Sequence, residues 1–428
     1  MTEGLLRIKR RIIYIIKNPM RVFGRLLANN ATLSRVLYQL YCLFPKLIYT
    51  TFCILPIQKK KVVICNFTSL GGYGDNPKYL AQELLLNKYH VVWLVGNEHY
   101  NDTTFPPEIK KVKYGSIKSL YELATAEVWI DNQRKNSTIW KRNGQFYLQT
   151  WHGGYLLKNM SDGVENLVNP AQLDMIIHDC KMTDLVLSNS KTFSEAYRLG
   201  YHYSGDILEA GFPRNDIFFK KDSDIMSLKK EILLSLSPSL VSGKEEVKIL
   251  MYAPTFRSTF QPDVYNLNVS ECLKSLEKRF GGKWICLVRL HPIISIMSDS
   301  LEILNLENVY DVSDYPDAQE LLCVSDVMIT DYSSIIFDFA LRRKLGVLLT
   351  PDFETYKQPK EAGLAVDIES LPFLHANTND ELLEMLSTYN QEEYVARLNA
   401  FFKESGGFDN GTASLKCVKR IRNHCNSD

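Results

Sequence analysis

The feature that most constrains this chain is a recurrence. Short apolar, β-branched runs end in loops, and a helix-length segment separates each run from the next. VVICN (62–66), VVWLV (91–95), EVWID (127–131), FYLQT (146–150) and DLVLSN (184–189) form one series. A charged, helix-prone stretch from about Asp216 to Glu246 follows. KILMY (248–252), WICLVRL (284–290), DVMIT (326–330) and GVLLT (346–350) then form a second series, and the last 50 residues read as mainly helical. Continuous apolar runs of this kind are strands covered on both faces, and strands alternating with helices make βαβ units around a parallel sheet. The expected fold is therefore α/β, with two doubly wound, Rossmann-type halves facing a cleft. At 428 residues the chain has room for both. The expected division is a basic segment over 1–61, a first domain over 62–220 and a second over 221–428.

Charge separates the first of these from the rest. The formal net charge is only +1, but residues 1–61 hold twelve Lys/Arg and one acid, Glu3, while residues 62–428 hold 38 Lys/Arg and 48 Asp/Glu. The split is +11 against −10. In LLRIKRRIIYIIK (5–17), Leu5, Ile8, Ile12, Ile15 and Ile16 share one helical face, with Arg7, Arg10, Arg11 and Lys17 largely off it. A second apolar run, Val36 to Ile57, is broken by Pro45 and Lys46 and closed by Pro56, against a simple straight span. Amphipathic segments lying on an anionic membrane surface fit best. A packed cap of the folded domain, a single span and a nucleic-acid-binding arm are the alternatives; the Ile/Leu/Tyr content disfavours the last, so no nucleic-acid partner is expected. Nine scattered cysteines without a CxxC pair point to reduced thiols in a cytosolic setting.

In doubly wound sheets ligands bind beyond the carboxyl ends of the strands, so the residues after each run carry the functional information. TWHGG (150–154) puts His152 at a strand end, followed by Gly153 and Gly154, which let backbone approach a ligand closely. Lys158 lies just beyond. In the second series, YAPTFR (252–257) ends in Arg257, RLHP (289–292) supplies Arg289 and His291, and TDYSSIIFDFA (330–340) opens a helix with Ser333 and Ser334 at its start. Taken alone, His152 is a structural or surface histidine, Lys158 a solvated lysine, Ser333 a helix cap and Asp338 a polar residue on a helix surface. Together, two arginines, a histidine and a seryl helix start at successive strand ends describe an anion pocket. There is no GxxxxGK[ST], no GxGxxG after the first strand and no HExxH. The glycines of SLGGYGDNP (69–77) read as a flexible loop. No His/Cys/Asp/Glu spacing points to a metal, so none is expected to be required.

The set WHG…K (151–158), GFPRND (211–216), YAPTFR, RLHP, TDYSSIIFDFA and FDNGTAS (408–414) resembles, in order and over roughly residues 60–425, the CDP-glycerol glycerophosphotransferase family. These are the TagF/TagB-like transferases of teichoic acid and capsular polysaccharide synthesis. The resemblance implies a GT-B-like fold, a peripheral position on the cytoplasmic face of the bacterial membrane, and transfer of polyol phosphate from a CDP-activated donor to a lipid-linked acceptor. CDP-glycerol is then a substrate, with no cofactor required. The resemblance makes His152 the general base and gives His291 contacts to the donor phosphates. Arg257, Arg289, Thr330, Asp331, Ser333, Ser334 and Asp338 fall on the donor side, and Gly153, Gly154 and Lys158 on the acceptor side. One departure stands out: the family's WHGTPLK reads WHGGYLLK here, so Gly154 and Tyr155 replace Thr-Pro and Leu156 is extra. The remaining alternatives are a CDP-ribitol donor, a GT-B glycosyltransferase using a nucleotide sugar, and an inactive membrane-bound phospholigand-binding scaffold. The sequence leaves open whether the chain forms a homo-oligomer.

Overall fold

The computed structural model describes residues 43–66, 71–155, 170–243, 245–255, 257, 262–290, 301–356 and 367–426. The basic run within 1–42, Lys158 and His291 lie outside the described residues. Two parallel sheets organise the chain. The first contains β1 (Gln58–Cys65), β2 (His90–Val95), β3 (Lys110–Lys113), β4 (Ala126–Asp131), β5 (Phe146–Gln149), β6 (Leu185–Ser188) and β7 (Asp206–Glu209), in the order β3-β2-β1-β4-β5-β6-β7. The second contains β8 (Val247–Ala253), β9 (Lys283–Val288), β10 (Val309–Asp311), β11 (Val327–Thr330), β12 (Leu345–Leu349) and β13 (Leu374–Ala376), in the order β10-β9-β8-β11-β12-β13. Every pairing between neighbouring strands is parallel.

Each of the nine apolar runs singled out in the sequence forms a strand, and β1, β4, β5, β8 and β11 are buried along most or all of their length because helices cover both faces. The four further strands, β3 (KKVK), β7 (DILE), β10 (VYD) and β13 (LHA), are the four sheet edges. An edge strand has one neighbour and partial exposure. Each is only three or four residues long and three of the four carry charge, so none has an apolar run to advertise it.

Strand order reverses between β1 and β4 in the first sheet and between β8 and β11 in the second, which opens a crevice at the carboxyl ends of those strands. Three helices open onto it, α1 (Asp75–Leu86), α2 (Ala318–Val324) and α3 (Ile335–Ala340), and two more, α4 (Gln391–Glu404) and α5 (Ala413–Cys425), end the chain. The last of them crosses back. Cys417, Val418 and Ile421 of α5 are buried in the core of the first sheet. Asp216 holds the start of that helix by accepting the N–H groups of Ala413 and Ser414 at 2.9 and 2.8 Å.

Residues 43–52 are helical. Tyr49 anchors them, fully buried with its ring edge-on to Trp140 at 5.0 Å and its hydroxyl donating to the Trp140 carbonyl at 2.6 Å. Leu43, Phe44 and Leu47 remain exposed. Among the described residues, no helix is long and apolar enough to cross a membrane.

The two sheet-centred halves meet directly. Lys78 Nζ lies 2.7 Å from Asp317 and 2.5 Å from Glu320, and the Tyr79 hydroxyl donates to Asp317 at 2.9 Å. Beside them the backbone of Gly74 passes so close to Pro316 that a Cβ there would sit 2.9 Å from the Pro316 carbonyl oxygen. Backbone cannot yield as a flexible side chain can, so Gly74→Ala is expected to push the halves apart and cost about 1–3 kcal/mol. Thermal or denaturant unfolding measures the loss, and activity should fall with it.

Candidate active site

A cavity of about 220 Å³ occupies the crevice. From the first half Gly74, Asp75, His152 and Arg214 line it; from the second, Arg289, Pro316 to Gln319, Ser333 to Ile335 and Asp338. Each of these follows a strand or opens a helix at the carboxyl end of a sheet.

His152 sits three residues past the last residue of β5, and the chain between them turns sharply. Trp151 adopts a left-handed φ of 55°, which a bulky residue takes up only where its surroundings impose it. The imposing contacts are visible. The Trp151 N–H donates to the Gln149 side chain at 2.9 Å, and Asn76 Nδ2 donates to the carbonyl oxygens of Thr150 and Trp151. The Trp151 ring stacks on the His152 ring at 4.6 Å, with the Arg134 guanidinium 4.8 Å from the Trp151 ring centre. His152 Nδ1 lies 2.7 Å from the carbonyl oxygen of Asn132. A carbonyl only accepts, so Nδ1 carries the proton and Nε2 keeps its lone pair. Enclosure in the cleft lowers the pKa of His152 below the ordinary imidazole value, although the ring keeps an open face toward the cavity. Hydrogen bonding to Asn132 and the charge of Asp75 oppose that shift, while Arg214 and Arg134 add to it. A neutral histidine with a free lone pair is the form a general base needs.

Arg214 ties the crevice together. Its Nη1 donates to Asp75 at 2.9 Å and to the His152 carbonyl at 2.6 Å, and its Nη2 lies 3.0 Å from Asp338 in the other half. Its backbone N–H donates to the Asn76 side chain at 3.1 Å. Asp338 is held by three donors, since Gln319 reaches one oxygen at 2.9 Å and Asn215 the other at 3.1 Å. Asp75, like Trp151, has a left-handed φ, 56°.

The residues named from the sequence divide into two groups. His152, Arg289, Ser333, Ser334 and Asp338 line the cavity, and Gly153 and Gly154 continue the loop from His152. Arg289 Nη1 donates to the carbonyl oxygens of Val312 and Tyr315 at 3.1 and 2.6 Å, neutral acceptors that leave its charge in the cavity wall. Ser334 makes no side-chain cap on α3, so its hydroxyl is not consumed by the helix. Arg257, Thr330 and Asp331 form a supporting layer away from the cavity lining. Arg257 is buried between two carboxylates, at 2.9 Å from Asp331 and 2.6 Å from Asp352. Asp331 also accepts the Thr255 N–H at 2.9 Å, and the Thr330 hydroxyl donates to the Ala253 carbonyl at 2.6 Å. These contacts pin the loops after β8 and β11 to each other.

Asp75, Arg214, Asn215, Asp317 and Gln319 were given no role in the sequence reading. Asp75 belongs to SLGGYGDNP and Arg214 to GFPRND, and each charged residue opens the helical turn that follows a strand. Position after a strand is the signal that singled out Arg257 and Arg289. The glycine run masked the first, and the inconspicuous edge strand β7 the second. No group of three or more His, Cys, Asp or Glu side chains positioned to hold a metal ion occurs among the described residues.

Replacing Arg214 by Ala would remove the cation that bridges Asp75 and the buried Asp338. The expected destabilisation is about 3–5 kcal/mol, read by denaturant unfolding. Arg214→Lys should recover only part of it, because one ammonium cannot span two carboxylates and a carbonyl as a planar fork does.

The sequence pattern of the CDP-glycerol:poly(glycerophosphate) glycerophosphotransferase family matches residues 47–423. A teichoic acid poly(glycerol phosphate) polymerase of Bacillus spizizenii is 27% identical over 91% of this chain and 99% of its own length. A teichoic acid glycerol-phosphate transferase of Staphylococcus aureus is 29% identical over 87% and 96%. The teichoic acid poly(glycerol phosphate) polymerase of Bacillus subtilis is 27% identical over 97% of this chain, which spans 55% of that longer protein. The solved structure of the wall teichoic acid polymerase TagF superposes with a TM-score of 0.73 at 25% identity, covering 95% of this chain and 98% of that one. With most of its length matched and its parallel α/β architecture shared, the chain belongs to the CDP-glycerol:poly(glycerophosphate) glycerophosphotransferase family.

Proposed function

We propose that this chain transfers glycerol phosphate from CDP-glycerol to a lipid-linked glycan or polyol-phosphate acceptor, releasing CMP, in teichoic acid or capsular polysaccharide synthesis. The observation that carries this reading is His152: a neutral imidazole with Nε2 free, on the wall of an inter-half cavity that Arg289, Ser333 and Ser334 line from the other side. Family membership supplies the chemistry those groups would serve.

His152 Nε2 takes the proton of an acceptor hydroxyl. The oxygen attacks the phosphorus that bears the glycerol, and the bond from that phosphorus to the bridging oxygen breaks, its electron pair leaving with CMP. Such transfers are driven mainly by positioning and charge stabilisation. Arg289 and the Ser333–Ser334 turn stabilise charge growing on the diphosphate, with His291 as a further phosphate contact and Lys158 on the acceptor side. Asp338, held by Arg214, Gln319 and Asn215, is positioned for the polyol. Arg257, Thr330 and Asp331 act by fixing the donor loops. In this reading residues 62–220 form the acceptor half and 221–428 the donor half. The exposed Leu43, Phe44 and Leu47, within the basic segment 1–61, support a peripheral seat on the cytoplasmic face of the membrane. Relatives that act on ribitol phosphate also match, among them a teichoic acid poly(ribitol-phosphate) polymerase of Bacillus spizizenii at 25% identity. The donor is therefore assigned by assaying CDP-glycerol and CDP-ribitol separately for CMP release.

His152→Ala should lower kcat with CDP-glycerol by about 10²–10⁴, the range for loss of a general base; near-normal turnover would remove His152 from that role. The acid limb of kcat/KM should also lie below the ordinary imidazole value of about 6.5, because the base works deprotonated and its pKa is lowered. Activity thus persists at mildly acidic pH and disappears as pH falls through the lowered pKa; an acid limb above the ordinary value would contradict the assignment.

A further inference from the structure

The loop that carries His152 has a second side. Three residues on, Tyr155 turns away from the crevice into another cavity of about 180 Å³, walled by Tyr155, Arg343, Phe402, Gly407 and Asp409 with two further apolar side chains. Gly154 permits the turn, since a Cβ there would lie 2.6 Å from the Asn189 amide. Tyr155 is 2% exposed, and its ring packs against Phe337 of α3 and Phe402 of α4. Its hydroxyl nevertheless has no hydrogen-bond partner. The same holds for Asp409 Oδ2. Asp409 Oδ1 is used: it accepts the Phe212 N–H at 2.8 Å and a hydrogen bond from Asn215 at 3.2 Å. Two buried polar atoms without partners at one cavity are a costly arrangement that a ligand would relieve.

We infer that this cavity is an acceptor subsite that holds one polyol unit beside the reacting one. This rests on the reading of the chain as a polyol-phosphate transferase. A diol satisfies the site on chemical grounds. One hydroxyl donates to Asp409 Oδ2, another pairs with the Tyr155 hydroxyl, and the C–H face lies on the Phe402 ring. The Arg343 guanidinium lies 4.7 Å from that ring centre and donates to Asn399 and to the carbonyl oxygens of Ala340 and Leu341, all neutral, so its charge is left for the adjoining phosphate. The subsite is geometrically coupled to the crevice. Asn215 Nδ2 donates to both Asp409 and Asp338, and Tyr155 shares a loop with His152. A unit held here fixes the next hydroxyl of the same chain relative to His152, so remote binding is used to orient the reacting group. Tyr155 is one of the two residues at which this chain departs from the family's Thr-Pro.

The test uses Tyr155→Phe, which removes only the hydroxyl, and Asp409→Asn, which keeps Oδ1 as an acceptor. With CDP-glycerol and a synthetic glycerol phosphate oligomer, each variant should lose about tenfold in kcat/KM for the oligomer, carried by KM. CDP-glycerol affinity, measured by calorimetry, should stay within twofold of wild type. An unchanged oligomer KM in folded Tyr155→Phe overturns the subsite, whatever the folding of Asp409→Asn. If the wild-type protein transfers nothing from CDP-glycerol, the proposed function fails by itself. Direct titration with glycerol 3-phosphate then decides the subsite: weaker binding by Tyr155→Phe supports it, and equal or absent binding by wild type and variant overturns it.

Discussion

One guanidinium joins the two halves where the chemistry is expected. Arg214 lies in the short helical turn after an edge strand of the first half, yet it binds Asp75, the backbone of His152 and, across the crevice, Asp338. An arginine this buried requires compensation, and the carboxylates of Asp75 and the buried Asp338 supply it from the two sides. The distance between the His152 loop and α3 is therefore set by hydrogen-bond lengths rather than by a loose hydrophobic contact. Lys78 with Asp317 and Glu320 repeats the arrangement one helical turn away.

Around that junction, left-handed backbone recurs at the site. Trp151 and Asp75 both hold conformations that a non-glycine residue avoids, and both are held by hydrogen bonds from side chains of the same crevice. The strain points the His152 ring at the cavity, while the stacked Trp151 and the Asn132 carbonyl fix its tilt and tautomer. Arg257 serves the opposite loops in a similar way, its charge absorbed by Asp331 and Asp352.

What was legible in the sequence follows from how burial is written into it. Central strands such as VVWLV and DVMIT are covered on both faces and read as continuous apolar runs, so the sheets could be anticipated. The edges KKVK and DILE could not, because a half-exposed strand needs only a few apolar residues. His152, Ser333 and Ser334 were visible because they follow legible strands. Arg214 follows an illegible one. Whether an arginine after a strand faces a cavity, as Arg289 does, or is absorbed by carboxylates, as Arg257 is, depends on Asp331 and Asp352, which are distant in sequence. Linear spacing does not encode that pairing.

The return of α5 to the first sheet has a consequence for how the protein is made. Cys417, Val418 and Ile421 complete a core whose other members, such as Val62, Trp93 and Leu148, leave the ribosome hundreds of residues earlier. Domains generally fold as units in the order of synthesis. Here the first half emerges with an apolar face that its own residues do not cover, and it waits for the second half to be translated. Asp216 stands ready at the junction to receive the incoming helix. Until then the nascent first half is exposed to aggregation, and the two halves mature together rather than in succession.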